Sequence, residues 1–107
     1  MVVWVGQPVM RAADFDARMQ LMNTIYREQA AIRPGVVFFD SRPVLSDASG
    51  GYRPYLADNS GAMTLMRAGD GIHLTPEGGR RLARAVLDAV IGEVAARGET
   101  VAGTGTR

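Results

Sequence analysis

The stretch Asp70-Gly-Ile-His73-Leu-Thr-Pro-Glu-Gly-Gly79 organises this sequence, because it contains the only histidine of the chain. Asp70 lies three residues before His73, and Thr75-Pro76 follows it at once. A threonine cap with a proline at the first helical position is typical of a helix N-terminus. On such a turn the Asp70 carboxylate can hold Nδ1–H of the imidazole and leave Nε2 free to accept a proton. The stretch therefore indicates the acid–base half of a hydrolase, with Asp70 as a turn cap and His73 as an ordinary surface imidazole as the alternative.

The residues that follow predict one long amphipathic helix. One row of apolar side chains follows helical spacing from the cap onward: Leu82, Val86, Val90 and Val94. Gly78 and Gly79 weaken the first turn but allow close approach to neighbouring backbone, and Gly98 ends the helix. Residues 1–97 are predicted to form the folded part, and residues 98–107 a disordered tail.

The first forty residues predict a strand–helix–strand unit. Residues 1–5 and 36–40 are short apolar runs that read as strands buried on both faces. Residues 14–32 between them read as a helix with Asp14 as its N-cap. Its predicted apolar face consists of Phe15, Met19, Met22, Ile25 and Tyr26. Such a unit has parallel strands and a right-handed crossover.

The segment before the histidine is predicted to be rich in loops. Residues 52–57 and 63–67 are expected to pair as a small hairpin across residues 58–61. Long irregular segments often form the wall of a binding site. Tyr52, Tyr55 and Arg67 are therefore candidate substrate contacts, with an aromatic patch that seals the end of the sheet as the alternative. Asp40, at the end of the second strand, is either functional or a turn former.

Composition excludes several classes of function. The 107 residues suffice for one domain or part of one, and the net charge of +1 creates no field that gathers nucleic acid or anionic lipid. The twelve basic residues are all arginines and form no basic stripe. No cysteine is present, which excludes disulfides and thiolate metal sites. A single histidine gives no metal-ligand set, no cofactor is predicted, and no apolar run approaches the ~20 residues of a membrane span.

The Asp70–Gly78 stretch, followed by Leu82-Ala83 in a helix, resembles the last conserved block of the SGNH hydrolases, also called GDSL-type esterases. Further similarity lies upstream. Residues 3–8 with Met10-Arg11, together with later short matches, are similar to an exported bacterial subfamily catalogued only as a domain of unknown function. The matching positions further along are Asn23, Tyr26, Phe39-Asp40, Gly51-Tyr52, Tyr55-Leu56 and Met66-Arg67.

The resemblance implies an α/β class of fold, namely the C-terminal portion of a three-layer α/β/α sheet of the flavodoxin-like kind. It implies hydrolysis of acyl esters, with carbohydrate O-acyl groups as a reasonable substrate class and no cofactor. His73 would be the general base and Asp70 would orient it. Gly6 and Gln7, together with Tyr52 and Arg67, are the candidate substrate-binding residues.

The sequence departs from that family at the nucleophile. The Gly-Asp-Ser block and the blocks that supply oxyanion donors have no counterpart here, and the four serines, at positions 41, 46, 49 and 60, lie in other contexts. Loss of a triad member costs ~10⁴-fold or more in turnover, so negligible esterase activity is expected for this chain alone. The first strand would also present an unpaired edge. Pairing with a missing N-terminal half, self-association through that edge, or aggregation is expected.

Three hypotheses remain open from the sequence. The first is the C-terminal part of an SGNH-type hydrolase, which the beginning of the chain inside a strand also favours. The second is a non-catalytic homodimeric binding or assembly module on the same half-fold. The third is a small flavodoxin-like ligand or metal binder at the edge formed by Gly6, Asp40 and Asp70. Localisation stays open, since no signal peptide is evident whereas the family it resembles is exported.

Overall fold

The computed structural model describes residues 1–98 as a mixed α/β chain. The strands and helices, in chain order, are β1 (Val2–Val5), α1 (Ala13–Ala31), β2 (Val36–Phe39), a short 3-10 helix (Pro43–Leu45), β3 (Tyr55–Ala57), β4 (Met63–Leu65) and α2 (Pro76–Ala96). The predicted α/β class is confirmed. The predicted disordered tail falls, apart from Gly98, outside the described residues.

Strands β1 and β2 form a two-stranded parallel sheet, as the strand–helix–strand pattern predicts. Trp4 is paired with Phe38, and both side chains lie on the face that α1 covers, where Trp4 stacks against Tyr26 with ring centroids 4.9 Å apart. Arg27 of α1 lies over the Phe38 ring at 4.7 Å. Aromatic stacking and a cation–π contact thus hold the helix on the sheet.

The prediction that β1 is buried on both faces is wrong for the described residues. Val2 is 57% exposed and Trp4 43% exposed, because no strand of residues 1–98 pairs with the outer edge of β1. The predicted apolar face of α1 also needs correction at Ile25, which is 49% exposed. The inward positions of that helix are instead completed by Asn23 and Ala30, both buried.

Helix α1 begins differently from the prediction. Its N-cap position is Ala12, which supplies no side-chain cap, and Asp14 lies within the first turn. Asp16 takes over the anchoring role, since its carboxylate accepts the Met10 N–H at 2.8 Å and a two-pronged hydrogen bond from Arg42 at 2.9 and 3.0 Å. Burial alone would raise the pKa of Asp16, but these bonds outweigh it and lower that pKa.

The predicted hairpin is confirmed, with β3 and β4 antiparallel and Leu56 paired with Thr64. A small core lies beside it, formed by Leu45, Leu56 and Met66 and flanked by Val44, Leu74 and Leu82. Helix α2 packs on β4 and on the 3-10 helix rather than chiefly on the parallel pair. The histidine stretch is therefore attached to the best-buried part of the chain. Neither described helix is long and apolar enough to cross a membrane.

Candidate active site

Residues 67–74, called here the histidine loop, form a short closed excursion between β4 and α2. Arg67 and Leu74 face each other as an isolated antiparallel bridge, and Ala68 N–H donates to the His73 carbonyl at 2.8 Å. Thr75 closes the loop, because its N–H donates to Met66 O at 3.0 Å and its hydroxyl to Leu65 O at 2.7 Å. The ends of the loop are thus fixed by backbone hydrogen bonds before its side chains are considered.

The predicted N-cap of α2 is confirmed at Thr75. Its hydroxyl oxygen accepts the Gly78 N–H at 3.1 Å, and Pro76 occupies the first helical position. The helix therefore starts two residues after His73, in the manner expected from the sequence. One side chain, that of Thr75, joins the end of the strand to the start of the helix.

Asp70 and His73 form the central pair of the site. His73 Nδ1 lies 2.5 Å from Asp70 Oδ2, and the other carboxylate oxygen accepts the N–H groups of Ile72 and His73 at 2.8 and 2.9 Å. An ionised carboxylate only accepts, so Nδ1 carries the proton and Nε2 has a free lone pair. The hydrogen bond from His73, followed by those two backbone bonds, lowers the pKa of Asp70 well below its ordinary value.

His73 stands on the wall of an open cleft at the carboxyl end of β1. The imidazole is 78% exposed, and Nε2 makes no hydrogen bond to the described residues. The cleft encloses about 360 Å³. Its lining comes from β1, the residues after it, the histidine loop and α2: Val5, Gly6, Gln7, Pro8, Met10, Ile72, His73, Leu74 and Leu82. Two of the four candidate substrate-binding residues, Gly6 and Gln7, therefore share a cleft with His73.

The segment after β1, residues 6–11, is called here the β1 exit segment, and Asn23 of α1 holds its first half. Asn23 Oδ1 accepts the Gln7 N–H at 2.7 Å, while its amide donates to Gln7 O at 2.9 Å. Gly6 N–H continues the sheet by donating to Phe39 O at 2.9 Å. The sequence analysis named Asn23 only as a position that matches the family it resembles. A polar residue on an otherwise apolar inward row was the signal that could have found it.

The other two candidate substrate contacts, Arg67 and Tyr52, lie elsewhere. Arg67 is 1% exposed, and its guanidinium bonds backbone carbonyls beneath the histidine loop. Tyr52 is half-buried with its ring 5.1 Å from the Arg67 guanidinium, and its hydroxyl has no partner among the described residues. Neither side chain lines the cleft of His73. Their contact with substrate remains a prediction.

None of the four serines lines this cleft. Ser41 is fully buried, and Ser46 lines a separate surface depression with Asp40 and Asp47. Ser49 and Ser60 each donate a hydroxyl hydrogen bond, at 2.7 Å, to the aspartate two residues before them. Asp40 accepts the Arg42 N–H at 3.0 Å, the turn-forming contact that the sequence analysis weighed for it. The cleft thus has a base and its acid but no hydroxyl nucleophile among the described serines.

Residues 1–98 contain no group of three or more histidine, cysteine, aspartate or glutamate side chains that could hold a metal ion. The His73 imidazole, oriented by the Asp70 carboxylate, stands in the cleft among backbone groups and apolar side chains. This pair can take a proton from a hydroxyl group and return it to a leaving group.

The structure is thus an α/β chain in which Asp70 orients His73 at the carboxyl end of the parallel strand β1. The model of a family described as "Protein of unknown function (DUF459)" matches residues 1–89. The chain belongs to this family, as the resemblance to a subfamily of unknown function led us to expect. The match includes β1, the β1 exit segment, the histidine loop and most of α2. No curated protein matches the chain.

Proposed function

We propose that this chain is the base-carrying, C-terminal part of an SGNH-type serine hydrolase that acts on acyl esters. One observation carries the proposal: an imidazole held at Nδ1 by Asp70 at 2.5 Å presents a free Nε2 to a cleft beside Gly6 and Gln7. The resemblance of residues 70–78 to the last conserved block of that family adds to it. Membership of the family of unknown function is compatible with it.

In the proposed reaction, His73 Nε2 accepts the proton of a serine hydroxyl as the serine oxygen attacks the ester carbonyl. The imidazolium then gives this proton to the leaving alkoxide oxygen, and an acyl-serine remains. Water attacks the acyl-serine by the same route, with His73 again taking and returning one proton. Asp70 keeps Nδ1–H bonded throughout, which fixes the tautomer and stabilises the imidazolium.

The proposal requires a serine from outside these residues. The outer edge of β1 is the natural place for the segment that supplies it, because β1 has no partner there within residues 1–98 and its carboxyl end opens on the cleft. A neighbouring parallel strand would bring its own carboxyl end to the same edge of the sheet. Esters of carbohydrates, O-acetyl groups in particular, are the substrate class we propose.

The DNA immediately upstream of the Met1 codon gives the first test. An in-frame or frameshifted Gly-Asp-Ser block supports the proposal, whereas an unrelated gene with its own terminator contradicts it. The second test assays an aryl acetate with the chain alone and with the chain co-expressed with the upstream segment. We expect turnover only from the combination.

Variants of the combination identify the base. His73→Ala should reduce turnover by ~10⁴-fold or more, and Asp70→Asn by ~10⁴-fold, because the amide favours the wrong tautomer. Asp14→Asn is the matched control, since that carboxylate is exposed on α1 and contacts only Arg18 and its own neighbour. Turnover that is insensitive to His73→Ala contradicts the proposal.

A second candidate is a non-catalytic homodimeric module, favoured by the exposed β1 edge with Val2 and Trp4 upon it. It predicts a stable, soluble dimer of the chain alone in sedimentation, and no hydrolysis in any combination. A monomer, or an aggregate that only the upstream segment makes soluble, contradicts it.

A further inference from the structure

We propose that Arg67 is the positioning residue of this site: its buried guanidinium fastens the histidine loop to the β1 exit segment and so fixes where the imidazole stands in the cleft. Arg67 does not touch the cleft itself, so it acts through His73 and is not a catalytic residue. The inference rests on the proposed function only in so far as the position of His73 matters for hydrolysis.

The contacts of Arg67 span the two segments that form the cleft. Nη1 donates to Val9 O of the β1 exit segment at 2.5 Å, and Nη2 donates to Ile72 O of the histidine loop at 2.7 Å. Nη2 also lies 3.3 Å from the sulfur of Met10. Ile72 immediately precedes His73, so one rigid fork connects the backbone beside the imidazole to the opposite wall.

The surroundings of the Arg67 guanidinium support a role in joining the histidine loop to the β1 exit segment. It is almost fully buried, yet no carboxylate bonds it, and Nε has no partner among the described residues. Among the described residues, two carbonyl oxygens, a thioether and the Tyr52 ring contact the guanidinium, and the carboxylates of Asp70 and Asp16 favour its charge from a distance. Burial lowers the pKa of Arg67 below its ordinary value, although the group stays charged. A buried charge without a directly bonded carboxylate is costly, so a structure retains it where the geometry it imposes is needed.

Arg11 completes the attachment from the other side. Its N–H donates to Gly71 O at 3.2 Å and its guanidinium to Gly69 O at 3.1 Å. Gly71 has a φ of +74°, and a Cβ there would lie 2.7 Å from Arg11 Nε, so the two segments are in direct contact. The Arg11 side chain is exposed, so its guanidinium bond to Gly69 O competes with water, whereas the bonds of the buried Arg67 do not.

The test measures docking of the loop without any assay of activity. In ¹⁵N-labelled chain, hydrogen exchange of the Arg11 amide reports the bond to Gly71 O, and exchange of the Gly6 amide reports the sheet. Arg67→Met should accelerate exchange at Arg11 by at least ~10-fold, the factor of one ordinary hydrogen bond, and leave Gly6 unchanged. Arg67→Lys, which keeps the charge but cannot bridge both carbonyls, should give a smaller acceleration.

Arg81→Met is the matched control. Arg81 also donates to two backbone carbonyls, those of Val44 at 2.6 Å and Ala57 at 2.9 Å, and these lie outside the histidine loop. Its loss should leave Arg11 exchange unchanged. Equal acceleration at Arg11 in this control, or unchanged Arg11 exchange in whichever Arg67 variant folds, overturns the proposal.

Kinetics of the co-expressed hydrolase separate positioning from general support. Arg67→Lys should lower kcat by about 10-fold or more with KM changed less than about twofold, because a displaced base slows proton transfer more than binding. An unchanged kcat in an active enzyme overturns the positioning role and leaves the proposed function standing. No hydrolysis by the wild-type combination contradicts the proposed function, while the exchange result still decides whether Arg67 holds the loop.

Discussion

The Cα of Gly78 lies against the carbonyl oxygen of Met66, so closely that a Cβ at position 78 would stand 2.1 Å from that oxygen. The same carbonyl accepts the N–H of Thr75. The first turn of α2 is therefore pressed backbone to backbone on the end of β4, at the point where the histidine loop begins and ends. The Thr75 cap and the Gly78 contact fix the helix relative to the loop.

Gly78→Ala should destabilise the chain strongly. The methyl group overlaps backbone atoms that cannot move without opening the histidine loop, and overpacking of this kind costs about 3 kcal/mol or more. Urea unfolding followed by circular dichroism measures the loss. A variant as stable as wild type would mean that α2 does not pack in this way.

Gly79→Ala is the matched control and should do the opposite. No atom lies within 4 Å of a Cβ at position 79, and alanine in place of glycine within a helix contributes up to ~1 kcal/mol. The same urea titration should therefore show a higher midpoint. If both Gly78→Ala and Gly79→Ala lower the stability, the first turn of α2 is sensitive to any substitution, and the effect does not come from the contact with Met66.

Asn23→Asp should disturb the β1 exit segment. One oxygen of the new carboxylate can still accept the Gln7 N–H. The other oxygen replaces the amide NH₂ group that donates to Gln7 O, so two acceptors face each other there. A buried charge beside an unpaired carbonyl costs about 3 kcal/mol. Thermal unfolding measures the change, with Thr24→Ser, exposed on the same helix, as the control. Equal melting temperatures for the two variants contradict the structural role of Asn23.

Acid should weaken the fold below about pH 4. The pKa of Asp47 is lowered in the folded chain, chiefly by the hydrogen bond from Ser49. The pKa of Asp58 is lowered in the same way, chiefly by the hydrogen bond from Ser60. A lowered folded pKa adds stability that is complete above the ordinary pKa of ~4 and is lost as the pH falls below it. Urea midpoints should stay level from pH 5 to 7 on this account and fall towards pH ~2.

Asp47→Asn and Asp58→Asn test the assignment. Each variant should be less stable than wild type at pH 6, because its ionised acceptor is lost, and each should show a shallower fall in acid. An acid slope identical to that of wild type in the double variant would assign the acid sensitivity to other carboxylates.

Val3→Pro tests whether the chain associates with a partner through the unpaired edge of β1. Val2 and Gly6 donate their N–H groups towards the β2 side, to Gly35 O and Phe39 O, so the N–H of Val3 points outward in an alternating strand. Proline removes that outward donor and leaves the bonds to β2 in place. In sedimentation, the Val3→Pro chain should associate more weakly than the Val3→Thr chain, whether the partner is a second copy or the upstream segment. Identical association of the two variants would place the contact elsewhere.

Prediction from the sequence succeeded where local chemistry determines the structure. Thr75-Pro76 defined the start of α2, the turn at residues 58–61 defined the hairpin, and two short apolar runs defined the parallel pair. The predicted start of α1 was wrong because aspartate is a common N-cap residue, which favoured Asp14. In the structure Asp16 instead anchors the loop before the helix. That anchor depends on contacts distant in sequence.

The candidate site was predictable in part for the same reason. Asp70 and His73 are three residues apart, so their contact follows from one turn. The burial of Arg67 depends on carbonyl groups at Val9, 58 residues away, and at Ile72. No periodicity reveals such a contact, and an arginine before a catalytic-looking loop is as readily expected to bind substrate as to hold backbone.

The histidine loop is closed by β4, Thr75 and α2 beside the small core of Leu45, Leu56 and Met66, and Arg67 joins it to the β1 exit segment. His73 is therefore held in place whether or not the outer edge of β1 is paired. If a separate polypeptide supplies the serine of the proposed hydrolase, hydrolysis should rise with its concentration along a simple saturation curve, without a lag. Such a chain would behave as one half of a split enzyme whose signal reports association alone.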